Sequence, residues 1–367
     1  MFVRSIQVLR GLAAVAVVLF HVSIWENKKL GVQLMPGCFQ LGDVGVDLFF
    51  VISGFIMVYI QPARISSGKD YARFLIHRFS RVFPPYWLVL LVLLPIWLKA
   101  PQLFNNYQHN HVDLVRSVLL LPQDYMPLLS VGWTLIHEVY FYFAVSVALL
   151  FGARGRWVYG TVWFATVIAV FWFFDGRGLE QSRVLQVVFS PFSLTFLLGY
   201  FVGLLQQRLR AAPVVLGFGL LTCAAVVWLW AAPRVANGVY PDNNSLARFL
   251  ALGLPCSLAV ASAIVLERHL PAFMLKLQWL GDRSYAIYLV HLPLVSGIYG
   301  VAARYHINSS WMVVGIAVMC VTGCLATASL FHDYLEMRAI TKCRRFLESQ
   351  FGIATPASRA VRPATAS

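Results

Sequence analysis

Ten apolar stretches, at approximately 7–25, 44–61, 82–98, 131–151, 157–174, 186–205, 213–231, 249–266, 279–299 and 311–331, are each long enough, or nearly so, to cross a hydrocarbon layer ~30 Å thick as a helix. Nothing else in the chain restricts its fold so strongly. The composition agrees: 59% hydrophobic and 12% charged residues, with a mean hydropathy of +0.72, lie far from the roughly 25% charged of soluble domains. The expected fold class is therefore all-α, a polytopic membrane protein of about ten transmembrane helices.

The first run follows Arg4 as the core of a signal peptide would. Ile24-Trp25-Glu26-Asn27-Lys28 offers no small-residue cleavage pattern, so a retained helix is expected. Of the 29 Lys and Arg, twenty fall on one side and nine on the other when both termini share a side. Arg64, Lys69, Arg73, Arg78, Arg81, Arg154, Arg156, Arg208, Arg210, Lys342, Arg344 and Arg345 belong to the richer side, so both termini are expected in the cytoplasm. The net charge of +14 then reflects topology and affinity for anionic membrane lipids rather than nucleic acid. Residues 1–340 read as the integral membrane domain and 341–367 as a basic tail, disordered at its Ala/Pro/Ser-rich end. The six cysteines show neither a disulfide framework nor zinc spacing, and no metal is expected.

Ionisable residues inside apolar runs are costly and tend to face pockets or water-filled paths. Arg10 and His21 lie eleven residues apart in the first run. That is three helical turns and about 20°, which puts both side chains on one face roughly 16 Å apart, close to the reach of an extended pantetheine arm.

Four other groups carry chemistry, each with a plainer alternative. Arg78 and Arg81, at i,i+3 in the inner loop just before an expected helix start at Pro84-Pro85, suit phosphate clamping, or serve as ordinary positive-inside anchors. Asp43 and Asp47, at i,i+4, either orient a histidine or line a substrate path; for Asp43 a solvated helix-start carboxylate is the better reading, whereas Asp47 sits deeper. Glu138 follows the interfacial Trp133 by about a turn and a half, and His21 is its expected partner at equal depth. His137 points about 100° away from Glu138 and is expected to pack. Ser284, Tyr288 and His291 form a polar stripe that either follows a cofactor through the membrane or makes interhelical hydrogen bonds. Gly199 and Gly203 suit close helix packing.

The chain resembles the bacterial membrane acyltransferase family 3 over nearly its whole length, Gln7 to about Leu335. The resemblance rests on Leu9-Arg10-Gly11-Leu12-Ala13-Ala14 with the Arg10–His21 spacing and on Gly45-Val46-Asp47-Leu48-Phe49-Phe50-Val51-Ile52-Ser53-Gly54-Phe55. It rests also on Arg78-x-x-Arg81, Trp133-Thr134-x-x-x-Glu138-x-x-Phe141-Tyr142 and Ser284-Tyr285-x-x-Tyr288-x-x-His291. It implies a multi-pass O-acyltransferase of the bacterial inner membrane, of the shorter kind without an extracytoplasmic esterase-like domain, closest in wording to exopolysaccharide acetyltransferases of the xanthan or succinoglycan type. Arg10 and His21 would then be the essential pair, with Arg78 and Arg81 at an acyl-CoA site.

The expected reaction is transfer of an acetyl group from acetyl-CoA to a sugar hydroxyl of a glycan acceptor, lipid-linked or polymeric, alongside polysaccharide-synthesis machinery. His21 and Glu138 are the expected catalytic residues, with His21 as general base. Arg10, Arg78, Arg81, Ser284, Tyr288 and His291 are expected on the donor, and Asp47 and Trp133 on the acceptor. Trp133 or Tyr288 is the expected oxyanion donor, and an acetyl-imidazole on His21 is the second-ranked route. A flippase for polyprenyl-linked glycans or a non-catalytic scaffold would also carry many spans, but neither needs a CoA clamp.

Overall fold

A computed structural model describes residues 3–353 apart from 33, 35–36, 61–64, 66, 105–107, 175–178, 180–181, 237–244 and 306–308. Arg64 and the terminal segment 354–367 thus lie outside the described residues. The described elements are all helices, with no strand among them. Within hydrocarbon each backbone N–H and C=O must be paired inside its own segment, and the apolar runs do this as helices.

The ten runs correspond to α1 (Arg4–Leu30), α2 (Val44–Tyr59), α3 (Gly68–Lys99), α4 (Gly132–Ala148), α5 (Ala153–Phe174), α6 (Pro191–Ala211), α7 (Val214–Ala236), α8 (Leu254–Val265), α9 (Ser284–Ala302) and α10 (Ser310–Phe331). An eleventh helix, α11 (Met337–Gln350), follows α10 through a π-helical turn, His332–Glu336. Among the described residues nine helical segments are long and apolar enough to span a membrane. The 17-residue α4 is the shorter tenth.

The centre of the bundle is α2, which packs closely along α6. A Cβ on Gly199 would sit 1.9 Å from the Val51 carbonyl oxygen, and one on Gly54 would sit 2.0 Å from that of Phe196. Only glycine permits this backbone approach, which is the packing role expected of Gly199. Around the contact an aromatic layer fills the core: Phe141 stacks on Phe196 at a centroid distance of 4.1 Å, and Phe50 lies 4.9 Å from Phe192. Such ring pairs add roughly 0.5–1.5 kcal/mol each beyond the area they bury.

One helix start differs from the sequence reading. The segment before Pro84-Pro85 is not a loop leading into a helix, because α3 is already helical from Gly68 and both prolines lie in its interior. Ser67 starts it, its Oγ accepting from the Asp70 N–H at 3.1 Å, and the neighbouring helices of the bundle sustain the interrupted backbone. At the other end of the chain α11 continues to Gln350 and packs beside the first half of α3. His77 Nε2 meets Glu348 Oε1 at 2.9 Å, and Lys69 Nζ donates to the Gly352 carbonyl at 3.3 Å.

Candidate active site

Two cavities lie end to end within the bundle. The first, of about 390 Å³, gathers Arg10 from α1, Arg78 and Arg81 from α3 and Arg344 from α11. Helical i,i+3 spacing puts Arg78 and Arg81 side by side, and each rests on a ring: Phe74 at 5.5 Å under Arg78 and Tyr285 at 6.0 Å under Arg81. Arg10 donates to Gln7 Oε1 at 3.0 Å. Among the described residues none of the four guanidiniums forms an ion pair. The carboxylate lining this cavity is Glu138, whose Oε1 accepts from Ser53 Oγ at 3.2 Å and Tyr142 Oη at 2.5 Å. Four cations against one anion in an apolar surround make a strong anion site, and planar guanidiniums match phosphate bidentately.

The second cavity, about 470 Å³, is lined by His21, Gln40, Asp43, Ser130 and Trp133 among others. His21 Nδ1 lies 2.9 Å from the Val17 carbonyl. A carbonyl only accepts, so Nδ1 carries the proton and Nε2 keeps its lone pair, as a general base requires. The His21 ring also packs edge-on against that of His291, centroids 4.8 Å apart. Gly42 brings the next segment close: a Cβ there would lie 2.1 Å from the Ala16 carbonyl oxygen and 3.1 Å from Phe20 Cβ.

Tyr288 and Val46 line both cavities and form the wall between them. The Tyr288 hydroxyl is tied to Thr134 Oγ1 at 2.6 Å, and Thr134 donates to the Val131 carbonyl at 3.0 Å. A site for a polyanion thus ends one side chain away from a histidine with an available lone pair.

A family model described as an acyltransferase domain matches residues 3–329. The chain belongs to this family, the membrane acyltransferase family 3. It is 32% identical over 272 residues to the exopolysaccharide production protein ExoZ of Rhizobium meliloti, covering 70% of this chain and 78% of that one. It is also 23% identical over 339 residues to the peptidoglycan O-acetyltransferase OatA of Listeria monocytogenes, covering 80% of this chain and only 50% of the relative. No solved structure matches it.

In this acyltransferase Arg10, Arg78, Arg81, Ser284 and Tyr288 line the basic cavity together, while Trp133 and His21 line the histidine cavity. The stripe on α9 runs from Ser284 in the first cavity, through Tyr288 in the wall, to His291 against His21. Three expected placements are corrected. Glu138 does not meet His21; it faces the basic cavity, held by Ser53 and Tyr142. The two were set at one depth by counting turns from predicted helix ends, whereas Glu138 lines the cavity of Arg10 and His21 the cavity beyond Tyr288. His291 touches the His21 ring rather than the basic cavity. Asp47 lines neither cavity: it is fully buried, Oδ2 at 2.6 Å from Arg248 Nη2, and Asp43 is the acid at the cavity.

The sequence reading missed Arg344, counted as tail charge, and did not single out Arg248. A lone arginine directly before an apolar run, with two acids waiting at the head of another, was the available signal.

Proposed function

We propose that this protein is a transmembrane O-acetyltransferase that holds acetyl-CoA in the basic cavity and delivers the acetyl group to a sugar hydroxyl in the histidine cavity. The observation that carries the reading is the shared wall: an anion site and a general-base histidine, of opposite chemical character, meet at Tyr288 and Val46. The twenty-to-nine distribution of Lys and Arg supports placing the basic end in the cytoplasm of a bacterial inner-membrane protein. The similarity to an exopolysaccharide production protein supports an exported polysaccharide as acceptor; in this reading it is of the xanthan or succinoglycan kind, lipid-linked or polymerised, and made by neighbouring synthesis machinery.

In this reading Arg78, Arg81, Arg344 and Arg10 grip the donor's phosphates, binding a part of the substrate that does not react. The pantetheine arm runs along α1 and α9 past Ser284, so the thioester arrives at Tyr288. His21 Nε2 takes the proton of the acceptor hydroxyl as its oxygen attacks the thioester carbon. The C–O bond forms, the C–S bond breaks, and the leaving thiolate recovers that proton from the imidazolium. Trp133 is placed to donate to the transient oxyanion, the Tyr288 hydroxyl being committed to Thr134 and Val131. Glu138, with Ser53 and Tyr142, shapes the donor end.

Sealed, oriented vesicles test the proposal. Acetyl-CoA supplied at the basic end should yield acetylated glycan on the opposite side, with free CoA recovered where it was added. His21→Ala should abolish transfer, by roughly 10²–10⁴-fold, while CoA binding persists. Product only on the side of addition, or an active His21→Ala enzyme, would refute it.

A further inference from the structure

Arg248 is 1% exposed inside a membrane bundle, at the start of the π-helical turn Phe249–Gly253. It bridges two carboxylates of the same α2 start: Nη1 lies 2.7 Å from Asp43 Oδ2 and Nη2 2.6 Å from Asp47 Oδ2. Its guanidinium lies over the Phe192 ring at 5.2 Å, and Phe192 in turn packs against Trp133. Burying ions is expensive, and a single well-made pair already answers the charge of one arginine. The two acids differ in what they see. Asp47 is sealed, whereas Asp43 keeps 15% of its side-chain surface and lines the cavity that holds His21. Among the described lining residues it is the carboxylate of that cavity. The contact of Gly42 with Ala16 and Phe20 seats it beside the helical turn that leads into His21.

We propose that Asp43, clamped by Arg248, is the carboxylate that stabilises the His21 imidazolium during transfer, so that Arg248 and Asp43 are positioning residues for the general base. The inference rests on the acetyl-transfer reading above. In that step His21 is cationic between taking the hydroxyl proton and returning it to the thiolate, in surroundings that solvate a cation poorly. A fixed anion across the cavity supplies what water would. Arg248 fixes the carboxylate with a planar fork and keeps it from folding onto the imidazole and occupying the acceptor's place.

The test uses the purified, reconstituted enzyme with acetyl-CoA and alkali-de-esterified succinoglycan as acceptor. It compares Asp43→Asn, Asp43→Glu and Asp47→Asn by kcat, donor KM and thermal midpoint. A unit charge one side chain away in a partly desolvated site is worth roughly 30- to 100-fold in rate. Asp43→Asn should lose about that factor in kcat, with donor KM within about twofold and the midpoint little changed. Asp43→Glu should recover part of the loss. Asp47→Asn should lower the midpoint and keep the kcat of the protein that remains folded. An ordinary structural ion pair predicts something else, namely that both asparagine variants lose stability and activity in parallel. That result, an undiminished kcat in Asp43→Asn, or a rise confined to donor KM, would overturn the assignment. Absence of transfer by the wild-type enzyme would instead defeat the acetyl-transfer reading itself.

Discussion

Replacing Tyr288 probes the wall between the two cavities. Its hydroxyl bonds Thr134 Oγ1 at 2.6 Å while its ring closes both spaces. Tyr288→Phe keeps the ring and removes a hydroxyl whose single proton is shared between Thr134 Oγ1 and, at 3.3 Å, the Val131 carbonyl, a net contribution of about 0.5–1.5 kcal/mol. If that link must break for the wall to part, the open population rises roughly two- to tenfold. Tyr288→Ala removes the ring as well, with a stability loss of about 3–5 kcal/mol, and joins the cavities. The assay follows release of free CoA thiol with and without acceptor. Wild-type release should depend on acceptor, and acceptor-independent release should rise roughly two- to tenfold in Tyr288→Phe. It should rise further in Tyr288→Ala, which should also accept longer acyl donors such as butyryl-CoA. A Tyr288→Ala enzyme that folds and still couples CoA release to transfer as the wild type does would refute the role of this side chain as the barrier.

Arg344→Ala should raise donor KM about tenfold, one charge-assisted phosphate contact, with acceptor KM unchanged. The exposed neighbour Arg345→Ala is the control, and equal effects of the two would reduce Arg344 to surface charge. Gly199→Ala should destabilise by about 1–3 kcal/mol or more, because its Cβ would meet the Val51 backbone oxygen at 1.9 Å. Gly219→Ala, which meets nothing within 4 Å, should not, and matching thermal midpoints would contradict the tight α2–α6 contact.

Hydropathy made the ten runs legible because the membrane imposes one secondary structure on any such stretch. It said less about where helices stop outside the hydrocarbon. Arg73 to Arg81 and Lys342 to Arg345 read as loop and tail, yet both are helical and pack on one another. Within a helix, spacing was a sound guide to neighbours: the i,i+3 pair Arg78 and Arg81 line one cavity with Arg10, and His21, three turns further along α1, lines the next. Between helices it was not. Pairing Glu138 with His21 needed the relative depth of α4 and α1, which one-dimensional periodicity does not contain, and the contact it missed, that of Asp43 with Arg248, joins residues 205 apart.

The length of two helices sets where the donor is met. At 1.5 Å per residue the 32-residue α3 is about 48 Å long, and the 41-residue run from Ser310 to Gln350 about 60 Å. Each exceeds the ~30 Å hydrocarbon thickness, and they extend together at the basic end. If that end faces the cytoplasm and the cavity opens beside this overhang, its mouth stands at headgroup level. There a surface potential of about −30 mV would thin out a ligand bearing about four negative charges by roughly 100-fold. Guanidiniums gathered at this height offset that depletion locally, so apparent donor affinity becomes a property of the lipid as well as of the protein. It should tighten when anionic lipid is replaced by zwitterionic lipid and lose its lipid dependence as salt collapses the surface potential.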